Sequence, residues 1–285
     1  MNTKKHTTLL NSALAVFITL VSISAMAGQN ARLKVLNPPG SIYTTASGVN
    51  DNGITVGSFE LAGQQLQGFA YLRARDAYES INYPGAVYTT ALSVNDSNIV
   101  VGTFANGDGV DHGFFLEKGN YRQYDVSGSS GTTIMGINKA GDIAGTVGSN
   151  GDYQGFVSVA GVVTTFAVDG QPTEAYGINS QNDSVGFFIN KQFSGWHGFL
   201  RESSGKTTQI DYPGSLSTAC TSINDAGQIT GFYTDANDVN HAFVLVNGRF
   251  RTLSAPYAAG INNQGVIVGS FTGQKGETYG FIWTR

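Results

Sequence analysis

Cysteine is almost missing from this chain: Cys220 stands alone among 285 residues. A lone cysteine excludes an internal disulfide framework, so a packed interior must hold the fold. Charge is scarce too, at 13% Asp, Glu, Lys and Arg, with a formal net charge of -4. No stripe or cluster of Lys and Arg occurs, which argues against nucleic acid as a partner. The common catalytic patterns are lacking as well. There is no HExxH, no CxxC, no G-x-S-x-G elbow and no full G-x-x-x-x-G-K-[ST] phosphate loop. Proline is held to 6 residues, whereas glycine reaches 38, beside abundant Val, Ile, Thr, Tyr and Phe. That balance belongs to a turn-rich all-β chain.

The first 27 residues read as an address. Lys4 and Lys5 precede the largely apolar run Leu9 to Ile23, and Ala25-Met26-Ala27 fits the small-x-small cleavage rule. Cleavage is expected between Ala27 and Gly28. The competing reading is a membrane anchor, but the run is short for a span and turns Ser-rich near its end. The expected product is residues 28–285, a single exported domain in the periplasm or the medium. It is expected to be a monomer with no membrane insertion after cleavage.

What fills that domain is a motif that returns six times. Val/Ile-Asn is followed by a turn and an apolar run that closes on Gly seven residues after the Asn. The asparagines are Asn50, Asn95, Asn138, Asn179, Asn224 and Asn262, at steps of 45, 43, 41, 45 and 38 residues. The closing glycines are Gly57, Gly102, Gly145, Gly186, Gly231 and Gly269. A period near 43 residues is the size of one four-stranded propeller blade. The second unit serves as the pattern. Tyr88 to Val94 reads as strand a, Ile99 to Phe104 as b, His112 to Glu117 as c and Tyr121 to Val126 as d. The Asn is expected to bond its own hairpin, fixing the turn without distant help. Two residues past each closing Gly stand Phe59, Phe104, Val147, Phe188, Tyr233 and Phe271, expected to fill the space between blades. Cys220 occupies the position of Ala46, Ala91, Ile134, Ala175 and Ala258, a small apolar slot on an inner strand.

A second motif follows on strand c: Gln67-Gly68-Phe69, His112-Gly113-Phe114, Gln154-Gly155-Phe156, His197-Gly198-Phe199, His241-Ala242-Phe243 and Tyr279-Gly280-Phe281. Together with Ile223-Asn224-Asp225-Ala226-Gly227, the His-Ala-Phe triplet resembles the bacterial "probable extracellular repeat, HAF family". The resemblance spans residues 28–285 and implies an exported, repeat-built β protein. It implies no catalytic residues. Lys139 and Ser180 replace the Asp, and Gln154 replaces the His, so these positions are poor carriers of a shared chemistry.

The last unit stops after strand c, while Ala31 to Leu36 precedes the first unit as an unassigned strand. The economical inference is that the N-terminal strand completes the sixth blade and removes a sheet edge. The fold expected is therefore all-β, a six-bladed β-propeller of four-stranded antiparallel blades closed by the N-terminal strand.

Candidate chemistry is sparse. His112, His197 and His241 occupy equivalent positions on different blades, too far apart to share a metal ion, and are expected to bond nearby backbone. No metal site is expected there. Calcium is a weak possibility at the loops Asn106 to Asp111, Asn150 to Asp152 and Asp235 to Asp238, because such an ion wants six to eight oxygens. Glu174 is the one carboxylate replacing a repeated inner-strand Thr, and so is the sole candidate acid. By hairpin alternation the b–c and d–a loops share one face, which carries Tyr43, Tyr83, Tyr88, Tyr212 and Tyr257 and the loop Asn190 to Trp196. Trp196, Phe193, Tyr88 and Tyr212 are the candidates for ligand contact, since aromatic rings beside amides and hydroxyls suit sugars or a partner's apolar patch. The sequence thus points to an exported binding module for an extracellular glycan or protein. The alternatives are a hydrolase or lyase acting on an extracellular polymer, by fold analogy only, and a passive surface or matrix protein.

Overall fold

Asn/Gly turns between short apolar runs fold each repeat into a meander of four antiparallel strands. In the second repeat these are Tyr88–Val94, Val100–Ala105, Asp111–Glu117 and Asn120–Tyr124, within two residues of the boundaries read from sequence. The computed structural model describes residues 32–149, 152–190 and 195–284. The expected signal peptide and its cleavage point lie outside the described residues. Among those described, no helix is long and apolar enough to cross a membrane. Four repeats form separate four-stranded sheets. The remaining eight strands make two more meanders, linked by one parallel pairing between Tyr43 and Thr278. The six inner strands are Ser41–Val49, Tyr88–Val94, Thr132–Ile137, Thr173–Ile178, Ser217–Ile223 and Tyr257–Ile261. Each touches the inner strands of both neighbours, so the blades close into a ring.

The N-terminal strand closes that ring. Arg32–Leu36 runs antiparallel to Thr278–Thr284, with Val35 opposite Phe281 and Leu36 opposite Gly280. It supplies the fourth strand of the sixth blade, as the sequence led one to expect. Leu36 is fully buried beside Ala46, Phe69 and Ile282, so the joint is apolar as well as hydrogen-bonded.

The repeated asparagines do more than their own turns require. All six side chains are buried. Each Oδ1 accepts from the backbone N–H four residues on, as in Ile54 N to Asn50 at 2.9 Å and Val266 N to Asn262 at 2.9 Å. Nδ2 then reaches the next blade. Asn50 donates to Asn95 O, Asn95 to Asn138 O, Asn138 to Asn179 O, Asn224 to Asn262 O and Asn262 to Asn50 O, at 2.9–3.0 Å. Between the fourth and fifth blades, Ser180 N donates to Asp225 Oδ1 at 2.8 Å. The expectation of a purely local turn is thus corrected: the amide has a donor to spare, and a buried donor must find an acceptor.

Glycine makes the close packing of strands possible. A Cβ on any of the six closing glycines would lie 1.9–2.1 Å from a carbonyl oxygen of the inner strand. It would also lie 2.6–2.9 Å from the Phe ring of strand c. Those rings, Phe69, Phe114, Phe156, Phe199, Phe243 and Phe281, are at most 1% exposed and sit directly across from the glycines. Every inner strand also carries a bulge after the buried Ala, Ile or Cys of the repeat. The residue past each bulge is Gly or Ser, because neighbouring backbones nearly touch: a Cβ on Gly48 would meet Ser93 Cα at 2.8 Å. Cys220 fills its slot with no exposed surface, and burial pushes its thiol pKa well up, so it is a packing residue.

Removing methylenes at the closing joint tests its weight. Leu36→Ala is expected to cost about 2–5 kcal/mol, the range for truncating a buried Leu. Urea denaturation reads this directly, and an unchanged midpoint would show that the N-terminal strand is dispensable.

Candidate functional site

The axis is lined by inner-strand side chains, and their layers differ between the two halves of the ring. One layer holds Thr45, Thr90 and Thr133 on blades one to three, then Glu174, Ala219 and Tyr257 on blades four to six; each stands opposite the second-strand residue that pairs with it. The second-strand partners follow the same division: Ser58, Thr103 and Thr146, then Phe187, Phe232 and Ser270. The bulged residues Ser47, Leu92, Met135, Tyr176, Thr221 and Ala259 form the next layer. They line a small axial cavity that opens on the side of the Asn turns.

Glu174 is 7% exposed. Its Oε2 accepts a hydrogen bond from Tyr176 OH at 3.2 Å. Burial pushes its pKa up to about 7, with the Tyr176 bond opposing the rise. Around it runs a chain of rings: Tyr176 to Phe187 at 5.6 Å, Phe187 to Trp196 at 5.4 Å, Trp196 to Phe232 at 6.0 Å and Phe232 to Tyr257 at 5.2 Å. Burial also pushes the hydroxyl pKa values of Tyr176 and Tyr257 well up. Tyr257, read from sequence as a loop residue, is the first residue of the sixth inner strand.

The loop-face candidates fall in different settings. Trp196 is half-buried in that aromatic chain, and its backbone N–H donates to Ser217 Oγ at 3.3 Å. Tyr212 stacks on Tyr233 at 3.6 Å with planes 9° apart, and its hydroxyl meets Thr252 Oγ1 at 2.9 Å. Tyr88 hydrogen-bonds Asp111 Oδ1. Burial raises the Asp111 pKa, and the Tyr88 bond opposes this. Phe193 lies outside the described residues. Trp196 and Tyr212 therefore join blades together, while Tyr88 begins the second inner strand at its loop-side end.

The histidines bond carboxylates rather than the backbone expected from sequence. His112 Nδ1 lies 3.1 Å from both Asp125 oxygens, and its Nε2 lies 3.2 Å from Asp108 Oδ2. His197 repeats the pairing with Asp211 at 3.0–3.1 Å, and His241 Nε2 meets Asp235 Oδ2 at 3.0 Å. Gln123 and Gln209 bridge the first two pairs. The physical reason is that an acid stands beside each imidazole, from the end of strand d at Asp125 and Asp211 and from the b–c loop at Asp108 and Asp235, while the backbone groups there are already paired in the sheet. Burial lowers the His112 pKa, but the Asp108 and Asp125 hydrogen bonds outweigh it and leave it raised. Two of the loop acids considered for calcium are similarly engaged, and the loop at 150–152 lies largely outside the described residues. Asp108 accepts from Val110 N and His112, and Asp235 from Asn237 N, Val239 N and His241. Among the described residues, no group of three or more His, Cys, Asp or Glu is placed to hold a metal ion.

Sequence reasoning missed a further set on the loop face. Ile42, Val87 and Leu216 are 47%, 45% and 53% exposed. They hold one repeat position, two residues after the Gly of Pro39-Gly40, Pro84-Gly85 and Pro213-Gly214. The signal was present, as an aliphatic residue recurring where a turn residue was expected.

Glu174 gives a pH test. Its folded pKa lies above the ordinary 4.5, so between about pH 4.5 and 7 the unfolded chain releases a proton that the folded chain keeps. Stability must then fall as pH rises through this window, by about 3 kcal/mol in all. Glu174→Gln should lack that loss and gain on the parent in melting temperature from pH 5 to pH 8. Parallel profiles would mean the carboxylate is not desolvated.

Comparison with solved structures agrees with the architecture. A protein assigned as TolB from Agrobacterium tumefaciens matches at 10% identity and TM-score 0.61, covering 91% of this chain and 100% of that one. The β-propeller domain of the Trilobed protease from Pyrococcus furiosus matches at 9% identity and TM-score 0.55, over 85% and 95% of the two chains. AofleA from Arthrobotrys oligospora matches at 14% identity and TM-score 0.51, over 88% and 82%. The Pyrococcus domain is described as having an open velcro topology, whereas here Arg32–Leu36 closes the ring. No family model and no curated protein matches the chain. At such identities the likeness establishes the fold alone: the chain is a β-propeller.

Proposed function

We propose that this protein is an exported, HAF-type repeat propeller that acts as a binding module and holds an extracellular protein on the face of its b–c and d–a loops. The observation that carries this reading is the nature of the side chains exposed there. Ile42, Val87 and Leu216 are aliphatic and open to solvent, which suits a partner's apolar side chains. Two of the rings suited to sugar stacking are occupied, Tyr212 by Tyr233 and Trp196 by Phe187 and Phe232. Of the two ligand classes the sequence left open, protein is favoured over glycan. Tyr88 likewise has its hydroxyl bonded to Asp111.

The repeated residues support this division of labour. The Asn, Gly and Phe of every blade are fully occupied in folding, so recognition falls to positions that vary between blades. Glu174 breaks the repeat, but its setting is apolar and aromatic and its hydrogen-bond neighbour is a tyrosine, an arrangement that serves packing.

A thermal-shift screen tests the reading with two panels, short synthetic peptides and oligosaccharides. A ligand at a hundredfold excess over its Kd stabilises the folded state by about 2.7 kcal/mol. Peptides are expected to raise the melting temperature and oligosaccharides to leave it in place. A shift with an oligosaccharide and none with any peptide would overturn the assignment of a protein ligand.

A further inference from the structure

The exposed aliphatic residues of the loop face are not scattered. Ile42, Val87 and Leu216 belong to blades one, two and five, and the ring order five, six, one, two puts them on one arc around the axis. The equivalent region of blade three carries Ser130 and Gly131, and that of blade four Gln171 and Pro172. The exposed aliphatic residues thus lie on one side of this face, interrupted at blade six by the exposed Ser254.

Each of the three has a carboxylate in the adjoining loop or strand of its own blade, two of them, Asp108 and Asp235, already bonded by His112 and His241. Val87 donates its N–H to Ala105 O at 2.7 Å and lies against Gly107 in the loop that carries Asp108. Leu216 donates to Thr234 O at 2.8 Å, immediately before Asp235. Ile42 is the extra residue of a register shift between Ser41, which faces Leu61, and Tyr43, which faces Glu60. On blade six, between them, Glu277 precedes Thr278, the residue paired with Tyr43. Lys275 is the one cation on the loops of this face among the described residues. Arg73, Arg75, Lys118, Lys139 and Lys206 all sit at the opposite face, on the a–b and c–d turns. Among the described residues the loop cations thus sit mainly on the opposite face, beside Asp51, Asp96, Asp142, Asp183 and Asp225, while the aliphatic arc is edged with acids and one lysine.

We infer that this arc docks a basic polypeptide segment in which apolar and cationic side chains alternate. The aliphatic residues supply desolvation, which is non-directional. The carboxylates beside them select sign and speed encounter with a cationic partner. The inference rests on the proposed binding function and narrows it to one chemical class. An acidic or neutral partner would set like charges or unpaired carboxylates against its own surface, which counts against it.

The test uses fluorescein-labelled synthetic peptides of equal length: alternating Lys/Leu, Lys/Ser and Glu/Leu. Binding to the protein is followed by fluorescence anisotropy at low and at moderate salt. The Lys/Leu peptide is expected to bind at least about tenfold more tightly than either control, and Val87→Ser with Leu216→Ser to weaken it about tenfold. The melting temperature should stay in place because both residues are exposed. Moderate salt should weaken binding through charge screening. Asp238→Lys, at an exposed loop tip, should weaken the Lys/Leu peptide without touching the apolar arc. If Glu/Leu or Lys/Ser binds as well as Lys/Leu, and the double Ser variant loses it, the face binds but the cationic class is wrong. If no peptide binds, or none responds to the double Ser variant, both this inference and the proposed binding face fail.

Discussion

One amide side chain, used six times, holds the ring together. The carbonyl oxygen of each repeated Asn fixes its own hairpin, and at five junctions the amide nitrogen crosses to a backbone carbonyl of the next blade. Asn is suited to this because it carries acceptor and donor on one short planar group. Asp would lack the donor and set a buried charge against a carbonyl, and Ser would be too short to do both. The last link runs from Asn262 to Asn50, across 212 residues of sequence. With no disulfide in the fold, these buried hydrogen bonds, at five of the six junctions, take the place of covalent staples. A buried network of this kind specifies geometry strongly when every member is satisfied.

The circle can be small only because the backbones around it come close. The bulge in every inner strand turns the chain toward the axis, and Gly or Ser past it lets neighbouring strands meet. Farther out, the closing Gly leaves room for a Phe ring pressed onto the backbone. Thr44, Thr89, Thr132, Thr173 and Thr218 are buried, and four of them cap the incoming chain with a hydroxyl, as in Tyr83 N to Thr89 Oγ1 at 2.9 Å. The repeated residues thus share one task, bringing strands from different blades to contact distance. Function is left to positions outside that task, which is why the exposed aliphatic arc and its carboxylates carry the functional reading.

The architecture was legible in the sequence because spacing carries it. The six Asn-to-Gly intervals set the repeats, and the missing last strand beside an orphan first strand set the closure. The cross-blade bonds were not legible. Their acceptors are backbone carbonyls 38–45 residues away, or 212 at the closing link, and a backbone carbonyl leaves no mark on composition. The imidazole–carboxylate pairs were half visible: Gln123-Tyr124-Asp125 and Gln209-Ile210-Asp211 recur with their Asp 13 and 14 residues after the histidines, yet only the sheet register brings them together. Trp196 and Tyr212 were picked for their size. Size says nothing about whether a ring faces water or another ring, and both meet rings.

Asn95→Asp compared with Asn95→Ala tests the central claim most directly. Asp keeps the oxygen that accepts Ile99 N and Ser97 N and removes only the donor to Asn138 O. If cross-blade bonding dominates, Asp should lower the thermal midpoint at pH 7 at least as far as Ala, since a buried carboxylate facing a carbonyl costs more than an empty site. An Asn95→Asp protein melting with the parent would contradict the account and leave the asparagines as turn residues alone.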